Sequence, residues 1–398
     1  WCVDGDGEDW FSVMEGSCYY HSTLDVEYNQ LCFYLAFWPG LLKRLLCQWP
    51  QFTRDGREIL GEAGAGTRFF CHDMGSGVCA DDQHYHHAMP VEENCNYLLL
   101  LYAYTCYTGD RSVAREQWER IREAVDFLQV CDTDGNGFPD AGCANTIDDA
   151  SPALQYGREQ TYLAVKVLAA VCAAGDLAGA LDLPWDDRTG WLERLRRTVD
   201  EEAWLEDHYA VTLTRTTEGL VDAWSGDPLP EGELEGWDAY SIYTSNGLLV
   251  PLMTGLDTGL DLQRVRRDLL SAAEACLTPV GCTHSSSGRP VVWFSQNLWR
   301  DAVGGYLGAD LLSMVERYWN YQVTQGAGRR LSCYYDTTMQ NNLCTYPRGV
   351  AVFAYFFAAI ALTVNRLRGE EVTVSALRRT LKVPIPALAD WEAMEVPE

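Results

Sequence analysis

The chain has 398 residues, 47% of them hydrophobic, and its 57 acidic and 30 basic side chains give a formal net charge of −27. A polyanion repels phosphate backbones and anionic lipid, which argues against nucleic acid and membrane surfaces as partners. No run of about 18 uncharged apolar residues occurs, so no membrane span is expected. No repeat or Lys/Arg run points to a solenoid or a basic tail.

The chain starts at Trp1 rather than Met, so a preceding segment is expected to be missing. Its 15 cysteines are an odd number, scattered without CxxC pairs. Several of them (Cys32, Cys47, Cys106, Cys172) fall inside apolar helical patterns. Reduced, buried thiols fit this usage better than a disulfide framework, which favours the cytoplasm over secretion. The 14 Trp and 21 Tyr are many for this length. Some belong to the core, but their apolar faces and polar edges also suit sugar-stacking platforms.

In chain order, the first helical stripe runs over Asp25–Cys47 through Val26, Leu31, Phe33, Tyr34, Phe37 and Leu41, with a stop near Pro39 or Pro50. Helices are expected next over Pro90–Tyr107, Ser112–Val130, Tyr156–Ala174 and Thr189–His208. Ser245–Thr254, Leu262–Ala275, Gln296–Thr324 and Arg348–Arg368 complete the set. Polar, Gly-containing loops separate them, and strand alternation is scarce. Helix pairs joined by long, chemically rich loops on alternate connections describe an all-α (α/α)6 barrel, a six-hairpin toroid, in one domain over 1–398.

Two carboxylate-bearing segments carry the chemistry. Val13–Val26 holds Glu15 and Asp25 among aromatic and hydrogen-bonding residues, and Asn145–Asp149 holds Asp148. Two acids drawn from distant parts of a chain are what hydrolysis of a glycosidic bond requires. Glu15 followed by Gly16 reads as a nucleophile with room for a ligand; its alternative is a capping or salt-bridged Glu. Asp148 reads as an acid catalyst; its alternative is a helix N-cap, a role that Asp149 or Ser151 can take instead.

Three further patterns stand out. His72-Asp73 in a Gly-rich loop pairs a donor with an acceptor suited to sugar hydroxyls. His84, His86 and His87 follow without a trusted metal-ligand spacing. Asp132, Asp134, Asn136, the Phe138 carbonyl and Asp140, with Gly135 and Gly137, match the first part of a calcium loop. Position 12 is Cys143, so this is no EF-hand. The alternatives here are Ca²⁺ held with waters or a tight Asp/Asn/Gly turn. No organic cofactor is expected. Further on, the stretches containing Asn246, Ser295 to Asn297 and Arg348 each open an apolar helix, as caps or as pocket lining.

Read together, these motifs resemble clan O glycoside hydrolases, families 52 and 116, over residues 10 to 170. Glu15-Gly16 and Thr23-Leu24-Asp25 are similar to the two ends of the nucleophile motif, and His72-Asp73-Met74-Gly75 resembles a His-Asp-x-Gly element. Asp132 to Asp140 followed by Asn145-Thr146-Ile147-Asp148 resembles the element that ends on the acid/base. His21-Ser22 stands where Met-x-Asn is usual, and Ala141 to Ala144 splits the last element. The resemblance implies a retaining β-glycosidase of β-glucosidase or β-xylosidase type. Glu15 would be nucleophile and Asp148 acid/base. Asp25, His72 and Asp73 would bind hydroxyls, and Thr146, His21, Trp10, Trp237, Asn246 and Arg348 would be further pocket residues. It also implies an N-terminal β-sandwich, which this chain lacks and which would pack on the barrel. An inverting (α/α)6 glycosidase and a non-catalytic carbohydrate-binding barrel are the alternatives.

Overall fold

A computed structural model describes residues 2–3, 9–76, 88–147, 151–222, 225–324, 334–339 and 343–368. The helices come in pairs. Helix α1 (Leu24–Phe37) is followed by α2 (Pro39–Gln48), α3 (Pro90–Thr108) by α4 (Trp118–Val130), and α5 (Thr161–Leu181) by α6 (Thr189–Arg197). Then α7 (Leu249–Thr254), entered through the turn Asn246–Leu248, is followed by α8 (Leu262–Ala275), and α9 (Phe294–Tyr306) by α10 (Val315–Thr324). The turn Pro347–Phe353 leads into α11 (Ala354–Arg368).

The first member of each pair forms an inner ring. Around it α1 packs on α3, α3 on α5, and α5 on the Asn246–Leu248 turn; α7 packs on α9, α9 on α11, and the Pro347–Phe353 turn closes the ring against α1. Burial follows this order. Every residue of α3 from Pro90 to Cys106 is buried, and so is every residue of α9. The outer helices bury one face only: α8 buries Val265, Asp268, Leu269, Ala272 and Ala273, and α6 only Trp191 and Leu195. A helix buried all round needs apolar or internally paired residues on every side, whereas an outer helix needs one stripe. The architecture is therefore the expected all-α six-hairpin toroid.

Helix α5 is long and apolar enough to cross a membrane by length and composition. Here it is an inner staff of the ring, and Lys166 within it is buried and paired with Glu92.

Several element boundaries differ from the sequence expectation. The Asp25–Cys47 stripe is two helices, because Pro39 disfavours helical backbone at Trp38, whose φ/ψ is −148°/56°. After Gln48, α2 passes into a tighter helical turn, Trp49–Gln51, that contains Pro50. The helix expected from Tyr156 starts at Thr161, after a separate short turn at Pro152–Tyr156 whose N-cap is Ser151, with Leu154 N–H donating to its Oγ. The Thr189 helix ends at Arg197 in a wide turn over Thr198–Glu202. Gln296–Thr324 is broken after Tyr306, where Gly308 turns the chain at φ 74°. Twelve of the cysteines among the described residues are free, from Cys18 to Cys344.

Candidate active site

The inner helices place their N-terminal ends at one rim. Asp25 is the second residue of α1, Glu92 and Glu93 lie in the first turn of α3, and Tyr162 and Lys166 are near the start of α5. Asn246 opens the turn before α7, Trp293 caps α9, and Tyr346 and Arg348 begin the last inner segment. Helix N-termini carry unpaired N–H groups and partial positive charge, so carboxylates gather there at least cost.

Glu15 is brought to this rim by a loop folded back on itself. Glu15 N–H donates to Tyr20 O (2.9 Å), Ser22 N–H to Val13 O (2.8 Å), and Met14 bridges His21. Gly16 has φ 69°, and a Cβ there would stand 2.7 Å from the Thr345 carbonyl oxygen. Glycine is thus required both by the backbone and by the contact, and that contact sets Glu15 against Tyr346. The carboxylate is 4% exposed. Thr23 Oγ1 donates to Oε2 at 2.8 Å, and the Tyr346 hydroxyl donates to Oε1. Burial pushes the Glu15 carboxyl above its ordinary 4.5; His72 pulls it back, Asp25 pushes it further, and Tyr346 and Thr23 favour the anion.

Across from it, Asp25 Oδ2 accepts from Arg348 Nη2 and from Thr146 Oγ1 (2.5 Å), and Arg348 Nη2 also reaches Thr146 Oγ1 at 2.9 Å. Burial alone would raise the Asp25 carboxyl, but Arg348, then His72, Thr146 and Lys166 hold it below its usual 3.8. His72 Nδ1 pairs with Asp73 Oδ2 at 2.7 Å, and Asp73 Oδ1 accepts from Gly75 N–H at 2.6 Å. Burial works against His72 protonation, yet Asp73, then Asp25 and Glu15, raise it above 6.5.

Asp25, His72 and Glu93 each bring a ligand-type atom within 4.8 Å of the others. Arg348 already supplies Asp25 with a counter-charge, whereas Asp73 on His72 Nδ1 adds a negative charge beside the group. The Glu93 carboxyl is pushed well above 4.5 by burial, then by Asp25 and Glu92.

Below this layer Glu92 ties three elements together. Its Oε2 accepts Thr146 N–H at 3.0 Å, while Oε1 accepts from the Tyr162 hydroxyl and from Lys166 Nζ (3.1 Å). Lys166 Nζ also stands 4.3 Å from the centre of the Tyr28 ring. The Asn145 side chain clamps the same loop, donating to Leu154 O (2.7 Å) and Gln160 Oε1 (2.9 Å). Two residues beyond Thr146 comes Asp148, which lies outside the described residues, as do His84, His86 and His87.

The residues expected from sequence thus separate into groups. Glu15, Asp25, His72, Asp73, Thr146 and Arg348 meet at the rim. His21 and Trp10 support the Glu15 loop, their rings edge to face at 5.4 Å, with His21 Nδ1 2.9 Å from Ser12 Oγ. Asn246 is buried in the inner wall, its carbonyl accepting from Tyr28 OH (3.1 Å) and Trp299 Nε1 (3.0 Å). Trp237 makes other contacts: its Nε1 donates to Glu233 Oε1 at 3.0 Å, Arg215 lies over its ring at 4.6 Å, and its carbonyl accepts from Val211 N–H at 2.8 Å.

In the calcium-like loop, both oxygens of Asp140 accept from Thr133 (N–H 2.8 Å, Oγ1 2.6 Å), and Asn136 Oδ1 accepts Phe138 N–H at 2.8 Å. Asp134 accepts from Asn136, and the Asn136 carbonyl accepts from Thr198 Oγ1. Asp132 Oδ1 is buried with no partner. Calcium takes six to eight oxygens, and these side chains are engaged by their own turn, so the loop as folded does not fit the ion.

Sequence reasoning missed Trp293, His284, Glu92, Glu93 and Lys166, while Tyr346 falls in the Arg348 stretch read as cap or pocket lining. Glu92 and Glu93 read as ordinary first-turn acids, and Lys166 as part of a helix stripe; only the tertiary fold turns them inward.

The model of the Glutaminase A six helical-hairpin domain matches residues 9–190, a stretch that contains Glu15, Asp25, His72, Glu92 and Thr146. Comparison with curated proteins finds no match. The chain is similar, over that stretch, to a six-hairpin helical domain of the kind related to glycosidase-like (α/α)6 folds.

Proposed function

We propose that the chain is a retaining β-glycosidase of the clan O type, acting on nonreducing-end β-glycosides. The Glu15 carboxylate attacks the anomeric carbon as Asp148 protonates the glycosidic oxygen, and the bond to the leaving group breaks. Water, deprotonated by Asp148, then attacks the same carbon and releases Glu15. Asp25, His72 and Asp73 hold ring hydroxyls. Arg348 and Thr146 fix Asp25, while Glu92 and Asn145 position the loop that leads to Asp148. What carries this reading is Glu15 itself: a buried carboxylate, hydrogen-bonded on both oxygens, at a rim where Asp25 is paired with Arg348 and His72 with Asp73.

One observation favours a second reading. The upward push on Glu15 suits a group that holds a proton, which would make Glu15 the general acid of an inverting enzyme with another carboxylate as base. The experiment is hydrolysis of a panel of p-nitrophenyl α- and β-glycosides, with the product anomer read by NMR and L-glutamine included as a control. A β-glycoside giving a β-sugar first supports the retaining mechanism, with carboxyl groups about 5–5.5 Å apart. An α-sugar first means inversion, and release of ammonia from glutamine without glycoside turnover overturns both.

A further inference from the structure

His284 is 1% exposed, and neither ring nitrogen has a hydrogen-bond partner among the described residues. Buried imidazoles are rarely left so, because each lost hydrogen bond carries a desolvation penalty. Nor does the fold need its side chain for anchoring. The backbone is fixed on both sides, with Ile242 N–H donating to His284 O at 3.1 Å, Ser285 bridged to Ser241 and Thr283 bridged to Val292. The ring is held by packing, stacked at 5.7 Å on Trp293 and 5.6 Å from Tyr243.

Its surroundings share the deficit. Trp293 Nε1 has no partner, and Arg348, whose guanidinium lies 5.6 Å from the Trp293 ring centre, leaves Nε and Nη1 without one. Asp25, on the same guanidinium, keeps Oδ1 without a partner. The open atoms are therefore donors and acceptors together. A bare anion would satisfy Trp293 and Arg348 but would meet Asp25 Oδ1 as a like charge. A hydroxyl both donates and accepts, so sugar hydroxyls suit this mixed set.

We propose that His284 reads a hydroxyl group of the bound sugar through one ring nitrogen, with Trp293 and Arg348 completing this subsite. The proposal rests on the glycosidase reading and adds to it a specificity-determining residue in the half of the chain beyond the family match. The neutral imidazole has one donor and one acceptor. Burial first and Arg348 second push His284 down to about 3, so it stays neutral through the working pH range.

The test uses His284→Phe and His284→Gln in the full chain, with the best p-nitrophenyl glycoside and its monodeoxy analogues. His284→Phe is expected to lower kcat/KM about tenfold or more on the parent glycoside. On the analogue that lacks the hydroxyl read by His284, wild type and variant should agree within about twofold. His284→Gln, which keeps a donor and an acceptor, should recover part of the loss. An unchanged kcat/KM on the parent, or the same gap on every analogue, overturns the proposal, the latter marking a purely structural ring. If no glycoside is turned over, calorimetric titration with methyl β-glycosides decides. Binding weakened about tenfold by His284→Phe supports the subsite in a non-catalytic barrel. Binding indifferent to His284 overturns the subsite alone, and no binding by wild type overturns it together with the glycosidase reading.

Discussion

The rim around Asp25 and the loop Asp132–Asp140 are made of similar residues and use them in opposite ways. In the loop, Asp140, Asn136 and Asp134 accept hydrogen bonds from groups within nine residues of one another, so most of the polar atoms are satisfied locally. At the rim, the partners come from α1, α3, α5, the Pro347–Phe353 turn and the loops between them, and several atoms, including Asp25 Oδ1, Glu93 Oε1, both nitrogens of His284 and two of Arg348, are buried with none. Local satisfaction makes a turn that stands by itself. Buried groups left open are costly to the fold, and a bound ligand at the rim would offset that cost. Both regions look equally chemical in the sequence; the state of their hydrogen bonds separates them.

The largest expected effect is at Glu15. Glu15→Gln should lower kcat about 10⁴-fold or more on any glycoside found to be a substrate, while circular dichroism shows the fold retained. A loss below about tenfold would remove Glu15 from the chemistry.

Glu92→Gln comes next. It leaves Lys166 buried without its counter-charge, at a pair where both side chains are 1% exposed. Breaking a buried pair from one side costs about 3–5 kcal/mol, measurable by urea unfolding, and Lys166→Met added to it should recover part. An unfolding midpoint unmoved by Glu92→Gln would show that the network does not hold the rim together.

Glu93→Gln has the opposite sign. Its folded-state pKa lies well above 4.5, so the stability it contributes is complete below about pH 4.5 and is lost as pH rises through the folded value. Gln keeps the acceptor for Asn96 Nδ2, which now donates to Glu93 Oε2 at 2.9 Å. The variant should therefore gain on wild type by up to ~1.4 kcal/mol per pH unit through that window. Thermal melts at pH 5 and pH 8 with the same gap at both would contradict this.

The smallest effects belong to the loop. Thr133→Ala removes the hydroxyl that Asp140 accepts and should cost about 0.5–1.5 kcal/mol in stability with no change in rate. Calcium at millimolar level should leave the melting temperature where it is. An ion bound at a hundred times its Kd would contribute about 2.7 kcal/mol, a rise of several degrees, and such a rise would show that Asp132 and the loop carbonyls gather a calcium site after all.

Much of the ring is legible along the chain because its helices announce themselves by periodicity and by their stops. The Gly after Glu15, the His-Asp pair and the Asn145-Thr146 turn are legible for a different reason: they are local, with ligand-type residues adjacent or nearly so. His284 and Trp293 are not, since a lone His in a Ser-rich loop and a Trp before a helix carry no pattern. Lys166 is hidden for the opposite reason, being an exception inside an apolar stripe.

By itself the sequence determined the helix pairs, their apolar faces and the acids at their starts, because propensity, proline stops and periodicity act over a few residues. Tertiary structure decided which acids meet, which cations neutralise them and which polar atoms are left open. Those outcomes depend on closing a ring of helices: Arg348 reaches Asp25 across 323 positions of chain. Burial and Coulomb interaction, the forces that push Glu15 up and Asp25 and His284 down, depend on distance in space and not on distance along the chain.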